Sequence, residues 1–415
     1  MDNPVQKLSV IGLGYIGLPT AAIFASRGLE VVGVDVTQDI VDTVNAGEVH
    51  IVEPDLDIVV RGVVSTGNLR ATMQPESAEA FIIAVPTPFA EGKRPDLGYI
   101  KDAAEAIAPV LEKGNLVILE STSPVGATEK LAGWLKEQRP DLAFPQDGTP
   151  NPDVNIAHCP ERVLPGYVLH ELVANDRIVG GMTPACAERA TALYRVFLRG
   201  ECFETDARTA ELAKLTENSF RDVNIAFANE LSIICDGLDI DVWKLIRLAN
   251  RHPRVSILQP GPGVGGHCIA VDPWFIVDSA PEQARLIRAA RDINDAKPHW
   301  VINKINESAD RFKSPVIALF GLAFKADIDD LRESPALQIA EQVVATGMQT
   351  LIVEPNIEEL PDGLAGEAEL TDVARCLNDA DLVVILVDHK EFSGLDNQRL
   401  ASKVVIDTRG VLFRD

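Results

Sequence analysis

The sequence predicts an α/β protein: two parallel-sheet regions joined by a helical region that contains one long helix. Three observations carry this reading. Strand and helix signals alternate over roughly the first 200 residues. From about position 205 nearly thirty residues pass without Gly or Pro, with apolar residues recurring at three and four. Near 314 the alternation returns. At 415 residues the chain exceeds one ordinary core, and the predicted division is 1–204, 205–312 and 313–415.

The elements follow in order. LSVIGLG is an apolar run ending in glycines, PTAAIFASRG a helix closed by Gly28, and EVVGVDV a second strand. AFIIAVPTP and LVILESTSP are two further strands, each stopped by Pro and polar residues. Such uniformly apolar strands belong to a sheet covered on both faces. PDLAFPQDGTPNPD, residues 140–153, is expected to be a mobile loop. TAELAKLTENSFRDVNIAFANELSIICDGLDI predicts the long helix, and residues 282–312 predict another, interrupted near Pro298. SPVIALFGLAF is a strand entering a glycine turn and SPALQIAEQVVATG a helix; QTLIVEP, DLVVILVD and KVVIDTRG complete the strands. The two α/β regions share an arrangement but little sequence, so no repeat is read.

Composition excludes several classes. A net charge of −24 argues against a nucleic-acid surface, which needs clustered Lys and Arg. No apolar run reaches the roughly 18 residues of a membrane helix. The N-terminus, MDNPVQKLSVIGLGYIG, has no basic region, apolar stretch and small-residue cleavage site, so a cytoplasmic location is expected. Six cysteines, at 159, 186, 202, 235, 268 and 376, form no CxxC pair. A zinc site or disulfide framework is therefore not expected, and no metal is assigned. Abundant carboxylates with few lysines fit a chain adapted to stay soluble in salt.

IGLGYIG supplies Gly12, Gly14 and Gly17 as GxGxxG between a strand and a helix. The first glycine permits the tight turn, the second lets backbone approach a pyrophosphate, and the third lets helix pack on strand. The helix N-terminus offers free N–H groups and partial positive charge. Asp35 ends the second strand 18 residues after Gly17, placed to bind both ribose hydroxyls and to repel a 2′-phosphate. The cofactor expected is NAD. Thr87 and Thr128 fall at or beyond later strand ends, where a dinucleotide lies.

On the long helix Lys214 and Asn218 are spaced i, i+4, with Arg221 three further on, so all three share one face. Asn at mid-helix asks for a side-chain partner. Cys268 follows GPGVGGH, a tightly turned loop with exposed amides that can hold a thiol in the open and stabilise nearby negative charge. The other five cysteines read as buried small hydrophobes. His267 adjoins Cys268 and is a candidate for lowering its thiol pKa. Asp272, four residues on, and Glu161 in CPERVLPG are two more carboxylates in polar settings.

The segments GLGYIGLPTA, AVPTPF, LESTSPVGATEK, CPERVLPG, KLTENSFRDVNIAFANELS, LANRHPRVSILQPGPGVGGHCIAVDPWF and FGLAFKADIDDLRESPA span nearly the whole chain. Through them the chain resembles the UDP-glucose/GDP-mannose dehydrogenase family. The resemblance implies an N-terminal NAD domain, a central helical domain mediating homodimers, and a C-terminal domain binding the UDP end. It implies a four-electron oxidation of a UDP-hexose to its uronate for surface polysaccharide precursors. UDP-N-acetyl-D-mannosamine is preferred over UDP-N-acetylglucosamine or UDP-glucose.

The same resemblance assigns roles. Cys268 becomes the nucleophile and Lys214 the general acid/base; Asn218 and Asp272 support oxyanion and water, and Glu161 assists thioester hydrolysis. Arg162, Val163, Arg221, His252, Arg254 and Gly265 contact the sugar nucleotide along with Lys214 and Asn218. Phe324, Lys325 and Arg409 join them from the C-terminal region. Tyr15, Ile16, Asp35, Thr87 and Thr128 match cofactor positions, and Arg332 reaches toward NAD. One departure is Arg409, where relatives carry Lys: charge is kept, but a planar fork replaces a point charge.

Two other readings compete. β-Hydroxyacid dehydrogenases pair an NAD(P) domain with a helix bearing Lys and Asn but transfer one hydride; the GVGGHC loop and third region argue against them. A redox-sensing protein with Cys268 as sensor needs no Lys/Asn face.

Overall fold

The computed structural model describes residues 5–149, 151–164, 166–266 and 268–413. They fall into two compact units, Met1–Thr216 and Glu217–Asp415. The first is built on an eight-stranded sheet. Its strands are β1 (Lys7–Ile11), β2 (Glu30–Val34), β3 (Leu69–Thr72), β4 (Ala80–Ile83), β5 (Leu116–Leu119), β6 (Asn155–His158), β7 (Arg177–Gly181) and β8 (Cys202–Asp206). Their order is β3-β2-β1-β4-β5-β6-β7-β8.

Strand side chains alternate between two apolar layers: Val31 and Ile82 pack into one, Val32, Phe81 and Ile83 into the other. Period-two alternation in a sheet buried on both faces thus reads as an unbroken apolar run. β6 and β7 pair antiparallel within an otherwise parallel sheet. β3, β6, β7 and β8 were not legible because their sequences are short and mixed, as in LRAT and CFETD.

The second unit holds a five-stranded parallel sheet: β9 (Val316–Phe320), β10 (Gln349–Val353), β11 (Glu369–Leu370), β12 (Leu382–Ile385) and β13 (Val404–Asp407), in the order β11-β10-β9-β12-β13. The first five strands of the N-terminal sheet follow the same order. Ile317 and Leu319 pack to one face, Ala318 and Phe320 to the other.

The long helix runs Ala207–Gly237, as its pattern predicts. A second helix, Arg285–Ala309, continues through Pro298 where an interruption was expected. Proline inside a helix costs about 3 kcal/mol. Burial of Ala290, Asn294, Val301, Ile302 and Ile305 along the same helix offsets it, so tertiary packing wins. The expected mobile loop at 140–153 is likewise anchored through its described residues. Leu142, Phe144 and Pro145 are buried, Asp153 accepts from the Ala143 amide at 3.0 Å, and Asp147 pairs with Lys136 at 3.0 Å.

Candidate active site

In the N-terminal unit, β1 delivers the chain into the glycine turn before the helix Gly17–Ser26. Gly12 has φ +90°, and a Cβ there would meet the Ala84 carbonyl oxygen at 2.6 Å. A Cβ on Gly17 would lie 1.8 Å from the Gly12 oxygen, whereas nothing lies within 4 Å of one on Gly14. The turn is closed to side chains at its ends and open at its middle, where a pyrophosphate needs space. Tyr15 is exposed and Ile16 half-buried beside it.

Asp35 follows β2, and its two carboxylate oxygens accept from the Leu13 and Thr37 amides, each at 3.0 Å. These bonds hold the carboxylate with lone pairs to spare for a ribose diol. The Thr87 hydroxyl oxygen is buried with no hydrogen-bond partner among the described residues. An orphaned buried hydroxyl at a strand end is what a bound ligand would satisfy. These features fit NAD.

Thr128 is buried in the first turn of the helix Ala127–Gln138. Its hydroxyl donates to Glu211 at 2.6 Å, and the same carboxylate accepts from the Thr128 and Gly126 amides at 2.8 and 2.6 Å. Glu211 thereby caps the helix Ala127–Gln138, and burial raises its carboxyl pKa despite those bonds. The sequence reading missed Glu211; it lies three residues before Lys214 on the long helix.

Glu161 is also more enclosed than a polar loop suggests. It is buried, it forms an ion pair with Arg177, and its other oxygen accepts from the Arg162 amide at 3.1 Å. Arg177 lies 3.4 Å from Glu120, stacks 4.3 Å above the Tyr194 ring, and donates toward Cys159. Glu120 further accepts from Tyr194 at 3.0 Å and Thr20 at 3.2 Å. Burial, then the Glu161 charge, raise the Glu120 carboxyl to about 7. Arg162 is half-buried, donating to the Asp176 carbonyl, and Val163 packs on the N-terminal core.

On the long helix Lys214 is half-buried, Asn218 buried and Arg221 exposed. The shared stripe therefore spans three depths rather than one solvent-facing row. Within the C-terminal unit, the Asn218 amide donates to Asp272 at 2.5 Å. Asp272, 3% exposed, opens the helix Asp272–Ser279, whose first turn donates from Val271 and Asp272 to the Cys268 carbonyl at 3.1 and 2.9 Å. Cys268 is exposed; Cys159, Cys186, Cys235 and Cys376 are buried, and Cys202 is half-buried rather than buried as expected. His267 lies outside the described residues.

The loop before Cys268 packs on the segment after β9. A Cβ on Gly265 would come 2.4 Å from the Glu333 oxygen and 3.0 Å from the Phe324 Cβ, so close packing requires glycine there. Pro262, Gly263, Phe324, Lys325, Val387 and Arg409 line a small cleft. Arg409 directs Nε and Nη2 to Asp388 at 2.9 and 2.8 Å. His252 and Arg254 are exposed, with the Arg254 amide donating to His252 Nδ1 at 3.3 Å. Arg332 is exposed and forks onto Asp330 at 2.8 and 2.7 Å.

Matches with known proteins run in sequence along the chain. The NAD binding domain of the UDP-glucose/GDP-mannose dehydrogenase family matches residues 6–198, its central domain 208–296, and its UDP binding domain 318–414. The chain belongs to this family. It is an NAD-dependent UDP-sugar dehydrogenase.

Among relatives of this dehydrogenase, a protein from Ralstonia nicotianae is named NDP-N-acetyl-D-galactosaminuronic acid dehydrogenase. It is 64% identical over 412 residues, 99% of this chain and 97% of that one. The UDP-N-acetyl-D-mannosamine dehydrogenase of Escherichia coli is 60% identical over 413 residues, 97% and 98% of the two chains. The solved UDP-N-acetyl-mannosamine dehydrogenase of S. aureus superposes with a TM-score of 0.86 at 42% identity, covering 99% of this chain and 96% of that one. The family's UDP binding domain contains Phe324, Lys325 and Arg409, three lining residues of the cleft. None of the helices described in the dehydrogenase is long and apolar enough to cross a membrane.

Proposed function

We propose that the enzyme oxidises the primary alcohol of UDP-N-acetyl-D-mannosamine to the carboxylate, a four-electron reaction through a covalent adduct of Cys268. The observation that carries this reading is the placement of Cys268. It is the exposed cysteine among the described residues, and it lies at the mouth of a helix whose first residue, Asp272, is buried against Asn218.

NAD bound at the glycine turn supplies a hydride acceptor for each two-electron step. Lys214 takes the hydroxyl proton in the first oxidation. The Cys268 thiolate adds to the resulting aldehyde carbon, forming a carbon–sulfur bond, and the adduct oxygen takes a proton to give a thiohemiacetal. Asn218 and Lys214 donate to the adduct oxygen. Loss of a second hydride and proton leaves a thioester. Water, oriented by Asp272 and activated by Glu161, attacks it; the carbon–sulfur bond breaks and the carboxylate leaves. The fixed pairing of Glu161 with Arg177 supports a carboxylate held in place rather than one free to swing.

The cleft of Phe324, Lys325 and Arg409 is read as the UDP end of the site, with Arg162, Val163, Arg221, His252, Arg254 and Gly265 toward the sugar. Tyr15, Ile16, Asp35, Thr87, Thr128 and Arg332 are read as the cofactor set. The division into domains at 1–204, 205–312 and 313–415, and a cytoplasmic location, belong to the same proposal. So does a homodimer through the central helix. Phe220 is 69% exposed and Phe227 51%, with Ile234 exposed a further seven residues on, an apolar stripe at heptad spacing.

A second reading, an N-acetyl-D-galactosamine nucleotide, is favoured by the name of the Ralstonia nicotianae relative. A panel of UDP- and GDP-sugars with NADH counted per sugar separates these. Two NADH and the highest kcat/KM with UDP-N-acetyl-D-mannosamine are expected. One NADH per sugar would remove the four-electron mechanism, and preference for the galactosamine nucleotide would select the second reading. Cys268→Ser should form no thioester; native rates of uronate formation in that variant would exclude the adduct.

A further inference from the structure

The segment between β9 and the helix Pro335–Val344 carries Phe324 and Lys325, and two buried side chains hold its first part on either side of these residues, at Leu322 and Ala323 and at Asp327. Glu354 follows β10. Its Oε2 accepts from the Leu322 and Ala323 amides at 2.7 and 3.1 Å and lies 3.0 Å from His389 Nε2. His389, between β12 and β13, accepts at Nδ1 from the Asp327 amide at 2.9 Å. Asp327 in turn accepts from the Lys390 amide at 3.0 Å. Because Nδ1 accepts, the ring proton sits on Nε2 and points to Glu354. Asn356 completes the cage, its amide donating to Glu354 Oε1 at 3.1 Å and its side chain lying 3.1 Å from His389 Nδ1.

We propose that His389, oriented by Glu354, is a positioning residue that sets the Phe324–Lys325 segment for the UDP end of the substrate. Glu354 holds the chain just before Phe324 and His389 holds it just after Lys325, so both lie on a span pinned one to three residues to either side. The far pin is needed. Asp327 has φ +61°, a conformation that a non-glycine residue keeps only when its surroundings impose it. His389 is buried and packs edge-on against Phe392, so the pin rests on the C-terminal core. Asp327, His389 and Glu391 also bring ligand atoms within 4.8 Å of one another, but His389 Nδ1 is already committed to the Asp327 amide. The donor set therefore suits a hydrogen-bonded latch better than a cation.

This proposal rests on the reading of Lys325 as a substrate contact. The test uses the full chain, with UDP binding by calorimetry and KM for UDP-sugar and NAD. His389→Asn retains an acceptor near the Nδ1 position. His389→Gln retains a donor toward Glu354 but loses that acceptor. His389→Gln is expected to weaken UDP binding and raise the UDP-sugar KM by about tenfold, leaving the NAD KM unchanged, with His389→Asn restoring most of the loss.

UDP affinity unchanged in His389→Gln overturns the proposal, as does an equal loss in both variants that tracks a lowered melting midpoint. Should His389→Gln fail to fold, Glu354→Gln should shift UDP affinity in the same direction by a smaller factor; no shift overturns the proposal. Lys325→Ala separates the levels. If it leaves UDP binding intact, the substrate reading has failed; if it weakens binding while His389→Gln does not, the latch alone has failed.

Discussion

The Asn218 amide donates to the Asp272 carboxylate across 2.5 Å, with both side chains buried. One bond thus ties the middle of the long helix to the first residue of the helix that follows Cys268. Asn218→Ala leaves a buried carboxylate short of a donor, which costs about 1–3 kcal/mol. Urea unfolding should report that loss. Asp272→Asn keeps the shape but removes the charge, so kcat should fall by about tenfold or more while the unfolding midpoint moves less. Equal activity in Asp272→Asn would remove the carboxylate from the chemistry.

Thiol accessibility gives a second expectation. Cys268 is exposed, and burial pushes the Cys159 and Cys376 thiols up to about 12. Iodoacetamide near neutral pH should label Cys268 first, with half-buried Cys202 slower, as read by peptide mass spectrometry. UDP-sugar should slow the first event. Initial labelling elsewhere would contradict the proposed nucleophile.

Glu120 ties stability to pH. Its carboxyl titrates near 4.5 when unfolded and about 7 when folded, through burial first and then the Glu161 charge, against Arg177, Tyr194 and Thr20. Between those values the folded chain holds a proton that the unfolded chain releases. Stability from this group is therefore intact below 4.5, declines as pH rises, and is lowest above about 7, by up to about 3 kcal/mol. Glu120→Gln should flatten the fall in melting midpoint from pH 5 to about 8. A slope identical to the parent's would exclude Glu120 as its source.

The stripe on the long helix makes the homodimer testable. Phe227→Asp places a charge among Phe220, Ile234 and the exposed Leu238; the parent is expected to sediment as a dimer and the variant as a monomer. A monomeric parent would end the dimer proposal.

The sequence made the strongest signals plain for physical reasons. GxGxxG with Asp35 marks a turn whose first and last glycines leave no room for a side chain, and the Ala207–Gly237 helix has no residue that breaks it until Gly237. What escaped depends on long-range contacts. Glu211 looks like any helical glutamate until Thr128, 83 positions away, comes within 2.6 Å. Glu161 reads as a loop carboxylate until Arg177 meets it. Pro298 signals a break that the buried flank of its own helix overrides.

Both sheets begin with the same strand order, and the likeness extends to single hydrogen bonds. The Gly12 amide donates to the Val34 carbonyl and the Gly321 amide to that of Val353, each at 2.8 Å. Leu13 donates to Asp35 and Leu322 to Glu354, the acid that ends each second strand. In one copy that acid lies partly open; in the other an imidazole seals it. A nucleotide-holding scaffold thus occurs twice in one polypeptide, with its acid left partly open in the first instance and turned into internal carpentry in the second. Each copy can therefore diverge in what it recognises without rewriting the other.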